Sequence, residues 1–436
     1  MRTLHWNSLS NDERRRVLER PAQRDAARTV SDVRAIVAAV RRGGDAALRE
    51  LTRRFDGVQV ESLEVSASEF AHAARALDAT QHAAIDTAIG TVRKFHEAQR
   101  PSPLRVETAP GVICERIHVA IRAAGLYVPA GSAPLPSTAI MLAVPAAIAG
   151  CPQRVLCTAP NREGRADAAV LTAARKAGVE RIFKVGGAQP IAAMAYGTES
   201  IPKCDKLFGP GNAWVAAAKS LVAGDPAGAA ADLPAGVSEV MVIADENSRS
   251  EFVAADLLAQ AEHGPDAQAL LVTTSAVLAE QVEHAVRRQV RALSRQRILE
   301  SSVGEIRLLV VDSLDTALGI ANDYAPEHLL LEVREPRAWL VKVRCAGAVF
   351  LGSWSPETMG DYCSGPNHTL PTYGYARAHS GLSVEDFQKR ITVQELSRSG
   401  LEGLADTARI LARLEGLDAH AAAIDVRIAA LADAPA

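Results

Sequence analysis

From about residue 111 the hydrophobic positions of the chain fall into short continuous runs, and each run is followed by a stretch of helical periodicity. The runs lie near 124–128, 154–158, 181–185, 206–208, 239–244, 269–273, 306–311, 328–332 and 348–351. Several are apolar at every position rather than at alternate ones, as expected of strands covered on both faces of a parallel sheet. The intervening stretches predict helices near 166–176, 189–196, 213–222, 249–263, 276–296, 314–324 and 336–344. Before this alternation, GVICERIHV (111–119) has the period of a strand. Residues 30–99 are helical in pattern: Ser31 is a candidate cap, Gly43-Gly44 a break, and Asp45 opens a helix that ends near Phe55-Asp56-Gly57, with a further helix near 83–99. Residues 1–25 are polar and arginine-rich and read as a helical arm. The chain after Ser383 reads as helical to its end, with Ser383 and Asp386 as a variant capping box.

Strand–helix alternation of this kind predicts an α/β fold with two Rossmann-like parallel-sheet domains, a helical N-terminal arm and a helical C-terminal tail. The expected division is 1–25 for the arm, 26–127 with 239–380 for a first, discontinuous domain, 128–238 for a second, and 381–436 for the tail. A length of 436 residues fits more than one domain. A hydrophobic fraction of 48% with 23% charged residues is ordinary for a water-exposed globular chain, and a net charge of −3 argues against nucleic acid or an anionic membrane as the main partner. The first residues lack a basic stretch followed by an apolar one, and the longest apolar run, 139–150, contains Pro145 and is too short to span a bilayer. Six dispersed cysteines without a CxxC pair point to free thiols in a reducing cytoplasm and leave His, carboxylate and amide groups as candidate metal ligands.

Seven stretches could carry chemistry. In DLLAQAEHGPD (256–266), Gln260 and His263 stand three apart and project from one side of a last helical turn before Gly264-Pro265. Three glycine-rich turns follow predicted strands: GLYVPAGSAPLPS (125–137), VGGAQ (185–189) and FGPGN (208–212). None is GxGxxG, but such turns at the carboxyl ends of parallel strands are where backbone N–H groups meet a nucleotide. APEHLLL (325–331) sets Glu327 beside His328 at a strand mouth, residue types suited to proton transfer near neutral pH. On a regular strand the two would point to opposite faces. GDYCSGPNHTLPT (360–372) puts Asp361 and His368 in an expected loop, and LEGLDAH (414–420) puts His420 at a helix start. Taken singly, each of these reads equally well as ordinary capping or surface chemistry.

Taken together and in this order, QAEHGPD, FGPGNA, APEHL, GDY and PNHTLPT resemble the histidinol dehydrogenase family, and the resemblance runs from GDAAL (44–48) and FDGV (55–58) to GLDAH (416–420). It implies oxidation of L-histidinol to L-histidine through bound L-histidinal, the last two steps of histidine biosynthesis, with two NAD consumed. The family's zinc ligands fall on Gln260, His263, Asp361 and His420, and its acid–base pair on Glu327 and His328. Substrate contacts fall on Ser238, Gln260, His263, His328, Asp361, His368, Glu415 and His420, and NAD contacts on Tyr127, Gln189 and Asn212. It further implies a cytoplasmic homodimer in which Glu415 and His420 complete the partner's site. Val237 stands where the family usually has proline, and Ala130 where glycine is common. The competing expectations are a related zinc- and NAD-dependent enzyme acting on another polar alcohol, such as a sulfonated diol, and a zinc hydrolase in which Glu327 activates a metal-bound water.

Overall fold

The computed structural model describes residues 1–20, 26–130, 133–234 and 236–432. Gly131 and Ser132 of the first glycine-rich turn, and Ala235 ahead of Val237, lie outside the described residues. The chain forms two compact units, one of Met1–Gln99 with Ile121–Phe387 and one of Arg100–Ala120 with Gln388–Ala436. In chain order the strands are β1 (Arg2–His5), β2 (Leu104–Ala109), β3 (Val112–Ala120), β4 (Ala123–Val128), β5 (Gln153–Thr158), β6 (Arg181–Lys184) and β7 (Lys206–Phe208). They continue with β8 (Ala230–Ala231), β9 (Glu239–Ala244), β10 (Gln268–Thr273), β11 (Arg307–Val310), β12 (His328–Glu332), β13 (Ala348–Leu351) and β14 (Gln388–Leu396).

The first unit holds two parallel sheets. One has the order β1-β11-β10-β9-β12-β13 and the other β6-β5-β4-β7-β8. The predicted runs became these strands because they are apolar throughout: Val240, Met241, Val242 and Ala244 of β9 are fully buried between two layers of helices. Each such valine or methionine contributes about 1.5–3 kcal/mol of hydrophobic stabilisation. In the five-stranded sheet the chain starts at β4, winds outward to β6, and returns to the other side of β4 at β7. The β4–β7 boundary is therefore a topological switch point, where the strand ends open a crevice.

Four sequence expectations are corrected here. The polar arm opens with β1, which pairs in parallel with β11; an edge strand needs little hydrophobicity, so the pattern hid it. A short helix, Asn11–Val17, follows, capped by Ser10 and Glu13 in a full capping box. The expected division groups the helices of residues 26–99 with the sheet that carries most of the metal and substrate residues. The apolar positions of the first of them, including Val33, Val40 and Leu48 of helix Ala26–Phe55, with Leu63 beyond its end, instead pack on the five-stranded sheet against Tyr127, Val155 and Phe183. Their chain does break at Gly44, whose φ of 51° and ψ of −136° leave the helical region, while Ser31 lies inside the helix Ala26–Phe55 and caps nothing. Helix Pro136–Ala149 is absent from the expected elements: nearly every residue is buried, so it lacks an amphipathic period to read. No helix among the described residues is long and apolar enough to cross a membrane.

The second unit pairs β14, β3 and β2 in antiparallel order and adds the helices Arg398–Leu414 and Asp418–Ala432. The expected all-helical tail thus begins with a nine-residue strand. Its alternation in QKRITVQEL is masked by polar residues on an exposed sheet. Ser383 and Asp386 do pair: the serine N–H and hydroxyl both donate to the aspartate carboxylate, ahead of a 3₁₀ turn.

Candidate active site

His328 is the first residue of β12, and Glu327 stands just ahead of the ladder. Ala325 ends the preceding helix in the left-handed region at φ 54°, and Pro326 follows. That irregular approach frees Glu327 from the strand's alternation. The two side chains converge, with Glu327 Oε2 3.7 Å from His328 Nδ1, instead of pointing to opposite faces. Both are buried. Glu327 Oε2 also accepts the Glu239 N–H at 2.8 Å. Burial pushes the Glu327 carboxyl up to about 8, against the pull of the His328 imidazole and the Glu239 N–H.

His328 Nδ1 lies 3.2 Å from the Glu239 carbonyl and 3.3 Å from Glu357 Oε1. Both are acceptors, so Nδ1 carries the proton and the lone pair of the neutral ring sits on Nε2. Nε2 has no hydrogen-bond partner, and at 3.6 Å Asp361 Oδ1 is an electrostatic neighbour only. Burial opposes a charged ring, but Glu357, Glu327 and Asp361 together hold the His328 pKa well above the usual imidazole range. Burial likewise raises Glu357. It also works against the Asp361 carboxylate, which the His328, His368 and His263 rings nonetheless hold below its ordinary value.

The sequence places Asp361 in a loop. It sits instead on the short helix Glu357–Tyr362, introduced by Pro356. Glu357 and Asp361 are four apart there and face the same way, so they reach His328 from one helix. Sequence reasoning misses Glu357; the ETMGD spacing was the available signal. The donor atoms of His328, Glu357 and Asp361 lie within 4.8 Å of one another and could hold a metal ion. Because Glu357 faces Nδ1 and Asp361 faces Nε2, the ring as placed bridges the two carboxylates. His368 donates from Nδ1 to the Asp361 carbonyl at 2.8 Å, and its Nε2 lies 3.2 Å from Thr138 Oγ1. His328, Asp361 and His368 all line one cavity of about 550 Å³.

Helix Ser250–Ala261 packs against the helix of Asp361. It ends two residues before His263, whose N–H still bonds the Gln260 carbonyl at 3.2 Å. His263 lies within the field of Asp361, His328 and His368. Gln260 is fully buried, yet neither its amide oxygen nor its amide nitrogen has a partner. Each unmet group costs about 1–3 kcal/mol, so a second interaction at this amide is needed to explain its place. An amide oxygen, an imidazole and a carboxylate suit zinc, and this donor set fits such an ion. Ser238 is half-buried directly ahead of Glu239, and its carbonyl accepts from Gln268 N at 3.1 Å. Glu415 caps the end of helix Arg398–Leu414, and His420 lies in the first turn of Asp418–Ala432; both are exposed, in the second unit.

The three nucleotide candidates sit at the carboxyl edge of the five-stranded sheet. Tyr127, at the end of β4, accepts the Gly187 N–H on its hydroxyl at 3.1 Å, and burial raises its pKa to about 12. Gln189 is buried at the start of helix Gln189–Tyr196. Asn212 caps helix Ala213–Ala223, its Oδ1 accepting from Trp214 N and Val215 N. Gly209, at φ 126°, lies so close to the Tyr127 carbonyl that an added Cβ would stand 2.2 Å from that oxygen.

One parallel sheet with glycine turns at its switch point, and a second whose β12 opens on a buried imidazole among carboxylates, make up an α/β architecture of the enzyme class. Residues 18–428 match the family model described as histidinol dehydrogenase, and the chain belongs to that family of NAD-dependent oxidoreductases of histidine biosynthesis. It is 54% identical to the histidinol dehydrogenase of Xanthomonas euvesicatoria pv. vesicatoria over 98% of this chain and 99% of that one. Identity to the Vibrio vulnificus protein of the same description is 50%, over 98% of each chain. The crystal structure of histidinol dehydrogenase from Elizabethkingia anophelis superposes with a TM-score of 0.93 at 40% identity, covering 99% of this chain and 98% of that one.

Proposed function

We propose that this chain oxidises L-histidinol to L-histidine through bound L-histidinal, consuming two NAD, and that Glu327 and His328 carry the proton transfers. The observation that carries the reading is the buried His328, whose Nδ1 is fixed by the Glu239 carbonyl while its Nε2 stays unpartnered beside the cavity. Nε2 takes the proton of the substrate hydroxyl. In its ionised form Glu327, whose pKa burial raises to about 8, takes a proton from water as that water adds to the aldehyde, and His328 serves again in the second oxidation. Tyr127, Gln189 and Asn212 would hold NAD at the β4–β7 crevice, where it would supply the hydride acceptor. Near-attack distances of about 3–3.5 Å require the substrate to be held rigidly.

Gln260, His263 and Asp361, with the partner's His420, would hold zinc; the unpartnered Gln260 amide supports this set. The ion would supply positive charge to orient the substrate's imidazole and amine. Ser238, His368 and Glu415 contact the substrate's remaining polar groups, Glu415 from the partner. The homodimer this requires is supported by apolar side chains left open in the second unit, among them Leu414 at 78% and Val426 at 62% exposure. Six free thiols support a reducing, cytoplasmic setting. The test is NADH formation from L-histidinol together with metal analysis of the purified protein. Two NADH per histidinol with bound zinc is the expected result. No NADH from zinc-loaded protein would defeat the reading.

A further inference from the structure

Glu239, the first residue of β9, serves both members of the acid–base pair with its main chain. Its N–H donates to Glu327 Oε2 at 2.8 Å and its carbonyl accepts from His328 Nδ1 at 3.2 Å. Its side chain is fully buried and is gripped elsewhere. Arg20 donates from Nε to Oε1 at 2.5 Å and from Nη2 to Oε2 at 2.9 Å. The same Nη2 donates to the Tyr324 carbonyl at 2.9 Å, and the guanidinium lies 3.8 Å over the Tyr324 ring. Tyr373 N–H also donates to Oε1, at 3.0 Å.

Arg20 thus joins two pieces of chain: the start of β9, and the residue three ahead of Glu327. We propose that Arg20 is a positioning residue for the reaction, setting through Glu239 where the Glu327 carboxyl and the His328 ring stand. The planar fork makes this more than charge neutralisation. Two parallel N–H···O bonds fix the carboxylate's rotation as well as its position, which a lysine's single ammonium does not. Ser238 precedes Glu239 directly and is carried by the same anchor. Arg20 is not among the residues lining the cavity around Asp361, so it reaches the reaction through Glu239 and the residues Glu239 holds.

This inference rests on the acid–base reading above, and the experiment separates the two. Steady-state kinetics with L-histidinol and NAD would be measured for Arg20→Lys, for the isosteric Glu239→Gln, and for Arg20→Lys placed in a Glu327→Gln, His328→Asn background. The expected result is a kcat lowered about 10–100-fold in Arg20→Lys, with KM for both substrates within about threefold of the parent. In the background lacking both groups, the same substitution leaves the residual rate unchanged, because nothing remains to be positioned. Glu239→Gln shows the same split and covers the case in which Arg20→Lys does not fold. An unchanged kcat in folded Arg20→Lys or Glu239→Gln, or an equal loss in the double-variant background, overturns the proposal. Full activity in Glu327→Gln and His328→Asn taken singly would instead sink the acid–base reading.

Discussion

At the scale of single residues, Glu327 and Gln260 are out of place by the ordinary rules of burial, each in a different way. Glu327 is a carboxyl held up to about 8 by burial. If it works as a base toward water, it must lose its proton, and so must the raised His328. Both requirements have the same sign: turnover falls as pH drops through about 8, most steeply for aldehyde oxidation. Glu327→Gln keeps the shape and removes the titration. We expect it to slow histidinal oxidation by about 10²–10⁴-fold while histidinol oxidation suffers far less; equal losses in both half-reactions count against the role. Gln260 is an amide buried without partners. Gln260→Leu removes two unmet polar atoms, so the metal-free protein gains about 1–3 kcal/mol and melts higher, while bound zinc drops sharply. A lower melting temperature without metal would mean that the amide already has partners in solution. Gln260 was legible because it stands three residues before a histidine. Glu357 was not, since an isolated ETMGD shows neither a helix nor a histidine until the fold brings β12 beside it. Arg20 gave no signal at all among the other arginines of its segment.

At the scale of elements, strands apolar on both faces were legible, and of the edge strands only the apolar β6 and β13 were. β9, β12 and β13 lie where the runs predicted them, whereas β1, β8 and β14, at sheet edges, carry polar or very short sequences. The turns after β4, β6 and β7 were read from glycine, and Gly209 shows why that works. A side chain there meets the Tyr127 carbonyl at 2.2 Å and must also adopt φ 126°. Gly209→Ala should cost about 1–3 kcal/mol, visible as a lower melting temperature, and should raise KM for NAD more than KM for histidinol. An unaltered NAD KM would detach this turn from the nucleotide. Helix Ser250–Ala261 carries a second testable charge. Asp256 is 5% exposed, and burial, reinforced by Glu332, raises its carboxyl to about 7. Folded, it holds its proton more tightly than it does unfolded. Its contribution to stability is complete below about pH 4 and is lost as pH rises through about 7. The melting temperature of the wild type should therefore fall between about pH 4 and pH 7 and level off above, and Asp256→Asn should flatten that slope; an equally steep slope in the variant would place the titration elsewhere.

At the scale of the whole molecule, the candidate ligands are strung from Gln260 to His420, and no local pattern says that they meet. The resemblance of the whole chain to one family supplied the set, and the fold accounts for only part of it. His328, Glu357 and Asp361 lie together within the first unit, and Gln260 is carried on a helix packed against that of Asp361. His420 belongs to the second unit, where it is exposed on a helix that also carries the exposed Val426 and packs on the helix of the exposed Ile410 and Leu414. Apolar side chains left open on one unit are what a symmetric partner covers, and a ligand carried on that unit can then serve the partner's ion. Mixing tests this directly. His263→Asn and His420→Asn should each be inactive and low in zinc. In a dimer of one with the other, one site collects both lesions and the second collects neither. Random reassociation of equal amounts makes half the dimers mixed, so about a quarter of wild-type turnover and zinc should return. If isolated mixed dimers stay inactive, His420 serves the site of its own chain.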